Sequence, residues 1–416
     1  MNIFKNGVNN PLNYIKVFLK WIIISLLIGI VGGFLGSIFH ECIDIVTNIR
    51  LNNKWVIFLL PLGGLVIALI YSHTRKKIDT NCVIDAIKTD SDVPWYMMPA
   101  IFISTVITHF LGGSAGREGA ALQLGGSIGY NIGRLLKLNK NDMHIIIMAG
   151  MSAVFTAMFG TPLAAAFFAL EVTSVGIMYY AALLPCIIAS LCAKAVAGAL
   201  SIAPVSFTIP YLPDLSVLNS LKVIILSIMC ALVCILFCTT MKKCESLFKK
   251  HLKNTYIRAF IGGLIIIILT IIVGNSDYNG AGMNIISNAI SGNANAEAFI
   301  LKIIFTVITI SAGFKGGEIV PAFFIGSTFG CVAGTVLGLP PGFSAAIGLI
   351  ALFCGLVNCP VSSLLLGIEI FGGVSIEFFA LTCAVTYLMS GYCGLYKSQR
   401  IVYSKLEADL LDTDNE

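Results

Sequence analysis

Charge is what this sequence has least of. Of its 416 residues only 11% are Asp, Glu, Lys or Arg, while 57% are hydrophobic and the mean hydropathy is +0.92. Soluble domains carry about 25% charged residues, so this balance excludes a soluble protein. The small positive excess, +5 at pH 7, is not a nucleic-acid footprint, because the basic residues flank apolar runs. Paired cysteines are also missing: 13 cysteines lie scattered with no CxxC spacing, which argues against a disulfide framework and for small buried hydrophobes. No P-loop is present, which removes ATP-driven pumping. His40-Glu41-Cys42-Ile43-Asp44 begins like a zinc-protease helix, but Asp44 stands where the second histidine of an i, i+4 pair is needed. Gly113-Ser114-Ala115-Gly116 has no histidine in a partner motif. An intramembrane enzyme is therefore a remote alternative, and no metal or cofactor is expected.

What the chain does have is apolar runs, at 21–39, 55–71, 97–111, 183–203, 223–238, 259–273, 299–312, 345–356 and 378–389. Several approach the roughly 20 residues that span a bilayer; the shorter ones, broken by Gly or Pro, suit protein-lined cavities, since open backbone cannot face lipid. The first is too long, and followed by too many others, to be a cleaved signal. Lys5, Lys16 and Lys20, then Arg75, Lys76 and Lys77, Arg134, Lys137 and Lys140, the run Lys242 to Lys253, and Lys397, Arg400 and Lys405 flank these runs. The positive-inside rule puts them, and both termini, in the cytoplasm. Stretches 203–220 and 275–297 hold no Lys or Arg and face outward; Arg50 and Lys54 are the exceptions to the pattern. The short acidic tail at 407–416 leads us to expect no appended regulatory domain.

The chain also repeats itself. Glu118 and Glu318 lie 200 positions apart, and Gly150 and Gly348, Pro162 and Pro360, and Glu171 and Glu369 each 198 apart. Within the single membrane domain, 1–416, this predicts two homologous halves, about 15–200 and about 220–392, joined near the basic run 242–253. An odd number of crossings in each would make the repeats inverted, packed around a midplane site. Gly29, Gly32, Gly33 and Gly36, and Gly125, Gly126 and Gly129, suit close helix packing.

Two of the repeated segments carry the chemistry. Gly112 to Gly129 and Gly316 to Gly330 are glycine-rich breaks, each with one carboxylate and each followed by an apolar segment. A carboxylate at membrane depth is costly and marks a site. Glu118 opens an apolar helix, where backbone amides favour an anion. Carboxylate and transported halide then compete, and protonating Glu118 admits the halide. The blander alternative is a helix cap paired with Arg117. Glu318 would repel anions unless protonated or paired. Lys315 either attracts anions, pairs with Glu318 or is a flanking charge. His109 reads as a helix-end residue, with titration the alternative, and Asn358 and Ser362 as groups that satisfy backbone.

Gly116-Arg117-Glu118-Gly119, with Gln123 five residues after the glutamate, resembles the signature of the CLC family of chloride channels and chloride/proton antiporters. Gly317-Glu318-Ile319-Val320-Pro321 is similar to its second filter motif, Gly394-Leu395-Tyr396 sits where the family keeps its pore tyrosine, and Phe159-Gly160-Thr161-Pro162-Leu163-Ala164 resembles a further family stretch. The resemblance implies an all-α membrane protein, an inverted-repeat bundle of tilted, uneven helices with discontinuous helices at the anion site. It implies a homodimer with one pore per subunit, in membrane lipid. It implies an anion held by Asn81, Gly116, Arg117, Gly119, Ile319, Val320 and Tyr396, with Glu118 as the proton-linked gate.

Four positions depart from the common pattern. The family's first filter motif, Gly-Ser-Gly-Ile-Pro, reads here Thr80-Asn81-Cys82-Val83-Ile84-Asp85; Ile319 replaces an aromatic, Ala120 a proline, and Val172 an internal proton-transfer glutamate. This set is similar to the bacterial fluoride-exporting branch. Fluoride is small and strongly hydrated. Asn81 can donate two hydrogen bonds where serine donates one, Tyr396 adds a phenolic donor, and bonds to a charged acceptor are the strong ones. A buried Asn81 bonded only to backbone is the alternative. Glu318 is expected to handle the proton that Val172 cannot. The expected function is fluoride export from a bacterial cell in exchange for protons; hydrogen fluoride crosses membranes neutral and dissociates inside, so a cell has reason to expel the anion. A chloride/proton antiporter or proton-gated chloride channel is the alternative.

Overall fold

The computed structural model describes residues 11–74, 79–89, 91–407 and 409–411; the predicted flanking cations Lys5, Arg75, Lys76 and Lys77 lie outside them. The first half comprises α1 (Pro11–Asn52), α2 (Leu60–Ser72), α3 (Thr80–Lys88), α4 (Met97–Leu111), α5 (Glu118–Leu135), α6 (Lys140–Phe159), α7 (Pro162–Glu171) and α8 (Leu183–Ala199). The second comprises α9 (Val217–His251), α10 (Thr255–Val273), α11 (Met283–Ile290), α12 (Ala298–Ala312), α13 (Ile319–Val336), α14 (Pro341–Val357), α15 (Pro360–Phe371) and α16 (Ile376–Met389). A 3₁₀ turn, Lys54–Leu59, leads into α2. The all-α expectation holds but for one parallel pair of two-residue strands, β1 (Ser174–Val175) and β2 (Arg400–Ile401).

Helix lengths are uneven for physical reasons. At 1.5 Å per residue α1 runs about 63 Å, twice the hydrocarbon thickness, so it must tilt or project. Its Lys20 pairs with Asp142 in the first turn of α6, which puts those two ends on one face. Left-handed glycines, Gly112 (φ +89°) and Gly313 (φ +106°), terminate α4 and α12, and each releases the chain into one of the carboxylate-bearing breaks. Among the described residues, seven helical stretches are long and apolar enough to cross a membrane. Two of them, Lys140–Phe159 and Ile319–Val336, are absent from the apolar runs read off the sequence. Both are rich in Gly, Ala, Ser, Thr or Met, and 78% of the residues in the most apolar 18-residue stretch of each are buried within the protein, so packing rather than lipid shaped their composition.

In the basic run 242–253, Lys242, Lys243, Lys249 and Lys250 lie in the last turns of the continuous helix α9, Lys253 follows it, and α10 begins at Thr255.

Equivalent landmarks pack equivalently. A Cβ on Gly125 would lie 2.3 Å from Gly150 O, and one on Gly326 2.2 Å from Gly348 O; only glycine lets α5 meet α6, and α13 meet α14, this closely. Glu171, closing α7, accepts from Val361 N (3.2 Å) and Ser362 N (2.8 Å) at the start of α15. Glu369, near the end of α15, accepts from Leu163 N (3.0 Å) and Ala164 N (2.9 Å) at the start of α7. The two helices thus run antiparallel, each satisfying the orphan amides of the other. Between the halves the core closes a circuit of five rings: Phe155 to Phe159 at 4.8 Å, Phe159 to Phe323 at 6.2 Å, Phe323 to Phe353 and Phe353 to Phe168 at 5.6 Å each, and Phe168 to Phe155 at 5.4 Å.

Candidate functional site

The two breaks meet each other. Gly116 and Gly317 form an isolated antiparallel bridge, each N–H donating to the other's oxygen at 2.7 Å. This brings the N-termini of α5 and α13 together at a buried point. Helix starts hold unsatisfied amides and positive potential, so the junction is built for negative charge.

Glu118 occupies it. The residue is fully buried, and its Oε2 accepts from Val320 N at 3.2 Å, the first-turn amide of α13. Besides interacting with its own backbone at the start of α5, this carboxylate crosses to the other half. Its Oε1 is buried with no hydrogen-bond partner. The carboxylate oxygens therefore lie at the paired helix starts. Gly116 keeps room for them: a Cβ there would lie 2.2 Å from Glu118 Oε2. Gly119 is close to Gly317, whose Cα a Cβ on Gly119 would approach to 3.2 Å. Ile319 is buried at the head of α13 beside Val320.

Arg117 is placed differently from the expectation. Its guanidinium does not serve Glu118: Nη1 donates to Asp44 Oδ1 at 3.0 Å, and His40 Nε2 lies 3.1 Å from the other Asp44 oxygen. Arg117 is the N-cap residue of α5, with its side chain turned to Asp44. The same geometry absorbs His40 and Asp44, the residues of the incomplete protease motif. Ser114 Oγ bonds Thr306 Oγ1 at 3.0 Å rather than a histidine. His109 Nε2–H donates to Gly116 O at 3.1 Å, a helix-end role that braces the break. Among the described residues no cluster of three His, Cys, Asp or Glu is arranged to hold a metal.

On the side of the α9 basic run, a cavity of about 430 Å³ is lined by Thr80, Asn81, Gln123, Lys315, Glu318 and Tyr396, with Lys242 and Glu245. Asn81 is oriented by chemistry: Ser398 N–H donates to its Oδ1 at 3.0 Å, so the amide NH₂ is left to donate elsewhere. Tyr396 is buried, and its hydroxyl has no partner. Gln123 donates to Thr80 Oγ1 at 3.0 Å, while its own Oε1 is unpartnered. Buried polar atoms without partners cost about 1–3 kcal/mol each, and the Tyr396 hydroxyl and Gln123 Oε1 both face this one cavity. Lys315 lies 4.1 Å above the Tyr71 ring and shares the cavity with Glu318. A strap holds Tyr396: Leu395 N donates to Leu356 O at 3.0 Å, Gln399 Nε2 to Val357 O at 2.8 Å, and Lys405 Nζ to Asn358 Oδ1 at 2.6 Å. Asn358 and Ser362 do satisfy backbone, at Cys393 O and Ala164 O.

The structure thus joins Glu118, Gly116, Gly119, Ile319 and Val320 at one point, and Asn81, Glu318 and Tyr396 on the wall of one cavity. Sequence reasoning missed three contributors. Thr80 and Asp44 give no signal without the fold. Lys302 does, as a lone lysine in an apolar run: fully buried, it donates to Tyr278 O (3.2 Å) and Gly280 O (2.7 Å) and ties the loop before α11 to α12.

The chain resembles known proteins over nearly its whole length. The chloride/fluoride channel protein of Pseudomonas syringae pv. tomato is 34% identical over 403 residues, which cover 95% of this chain and 89% of that one. The H(+)/Cl(-) exchange transporter ClcA of Vibrio cholerae serotype O1 is 25% identical over 401 residues, covering 88% and 85%. The crystal structure of a CLC-type fluoride/proton antiporter superposes with a TM-score of 0.89 at 29% identity, covering 94% of this chain and 99% of that one. A model of the voltage gated chloride channel family matches residues 63–391, and the chain belongs to that family of membrane transport proteins.

Proposed function

We propose that the protein exports cytoplasmic fluoride in exchange for inbound protons. The observation that carries this reading is the Glu118 carboxylate on Val320 N–H, because acid and anion then compete for one set of backbone donors. When Glu118 is charged it fills the start of α13. When it takes a proton it loses its claim on that positive end, and fluoride can take its place. Proton movement and anion movement become one event.

The cavity supplies the rest. Asn81 NH₂ and the Tyr396 hydroxyl are donors on its wall, suited to replacing the water around a small hard anion. Glu318 lines the same cavity, and we assign it the internal proton step. Glu171 is not free for that duty, since both its oxygens are held by the start of α15, and Val172 cannot titrate. The cavity therefore faces the cytoplasm, with the chain termini, and the membrane is that of a bacterial cell. The reciprocal Glu171 and Glu369 caps support two inverted halves. The helices α7 and α15, with 10 and 12 residues, are too short to span a bilayer, yet they expose Leu163 and Val361; a second copy covering that face would make a homodimer with a pore in each subunit.

The test is efflux from liposomes containing the purified protein, loaded with fluoride or chloride, with voltage set by a potassium ionophore and both halide and pH recorded. Fluoride release with opposing proton movement, abolished in Glu118→Gln and uncoupled in Glu318→Gln, is the expected result. Chloride release as fast as fluoride would overturn the fluoride reading, and halide flow without protons would overturn exchange.

A further inference from the structure

Arg50 and Lys54 break the positive-inside pattern, and the mechanism above does not use them. They lie at the end of α1 remote from Lys16 and Lys20, and both line a second cavity, of about 280 Å³. Its other walls are mainly apolar, with Ile57, Phe58 and Ile271, and no acidic side chain lines it. Neither cation has a carboxylate partner among the described residues. Arg50 is partly buried, and one of its five N–H donors is used on His109 O at 2.9 Å. The guanidinium lies against Gly280, where a Cβ would come within 2.3 Å of Nη1.

The surroundings say which anion fits. Trp55, next to Lys54, is 61% exposed, and Phe58 and Ile271 are 58% and 64% exposed. An outward-facing tryptophan among exposed apolar residues marks the level of lipid headgroups. A small soluble anion has no use for the apolar walls, and a neutral amphiphile none for two unpaired cations. We infer that this cavity is a binding site for an anionic phospholipid of the outer leaflet, its phosphate on Arg50 and Lys54 and its acyl chain along Phe58 and Ile271. The leaflet assignment rests on the orientation proposed above; the binding does not. A bound phosphate would also reach the transport site, because Arg50 holds the end of α4 at His109 O, and His109 in turn holds Gly116 O beside Glu118.

Native mass spectrometry of the full chain in detergent, offered phosphatidylglycerol and phosphatidylcholine of matched acyl chains, tests this without transport. The wild type should retain phosphatidylglycerol preferentially. Lys54 is exposed, so Lys54→Gln should fold normally and lose about fivefold in that retention, as one basic residue at a lipid surface contributes. Lys54→Glu should lose more, and Lys16→Gln, at the other end of α1, nothing. Retention of phosphatidylcholine equal to that of phosphatidylglycerol, or unchanged retention in Lys54→Glu, would overturn the assignment, whatever the liposome assay shows about fluoride.

Discussion

Gly116→Ala separates the seating of the gate from its titration. Gly116 is not among the residues with positive φ, so alanine fits the backbone, and its N–H and oxygen remain free to bond Gly317. The new Cβ, however, would stand 2.2 Å from Glu118 Oε2 and 3.0 Å from Pro321 Cδ. Ordinary contact begins near 3.4 Å, so the carboxylate must retreat by more than 1 Å. The bond to Val320 N, now 3.2 Å, does not survive that move. A hydrogen bond to a charged group contributes about 1.5–3 kcal/mol, so the seated state should lose roughly 10- to 150-fold in population. Glu118 keeps its proton chemistry but no longer blocks the start of α13. In the liposome assay, fluoride efflux should persist while the protons moved per fluoride fall sharply. Gly198→Ala, in α8, is the control: nothing lies within 4 Å of its Cβ, and coupling should not change. Wild-type coupling in a well-folded Gly116→Ala protein would refute competition between the carboxylate and the anion.

Two further outcomes follow from the geometry. Glu171→Gln and Glu369→Gln should each lower the unfolding midpoint in detergent, by the equivalent of about 1–3 kcal/mol, and by similar amounts, because each acid serves two amides; a large loss in one and none in the other would contradict reciprocal capping. Asn81→Asp keeps the bond from Ser398 N but replaces the NH₂ donor with a charge on the cavity wall, so fluoride efflux should slow by about tenfold or more; an unchanged rate would remove Asn81 from the anion path.

Much of this site was legible because glycine, proline and glutamate recur at fixed separations. Glu118 and Glu318, Pro162 and Pro360, and Glu171 and Glu369 each mark a helix end, and helix ends are set by local chemistry. Side-chain partners across the bundle were not legible. Nothing in the sequence sends Arg117 to Asp44, 73 positions away, rather than to its neighbour Glu118. Helices buried within the protein were hidden for a related reason. A hydropathy reading finds surfaces that lipid has selected, whereas α6 and α13 were selected for close fit. The basic end of α9 was not legible as helix, because a helix projecting from the membrane carries the same lysines as a loop.

The crossed glutamates have a consequence for how the chain is made. The amides that start α7 stay unsatisfied until Glu369 arrives, and Glu118 finds no Val320 N–H until α13 exists. Some 200 residues separate these partners, which at roughly 5–20 residues per second of synthesis is on the order of ten to forty seconds. For that interval the first half sits in the bilayer with bare helix ends and an unshielded acid. It is a guest of the insertion machinery, dependent on a host to cover what its own sequence has not yet supplied, and truncation anywhere before residue 369 would leave it a substrate for quality control rather than half a transporter.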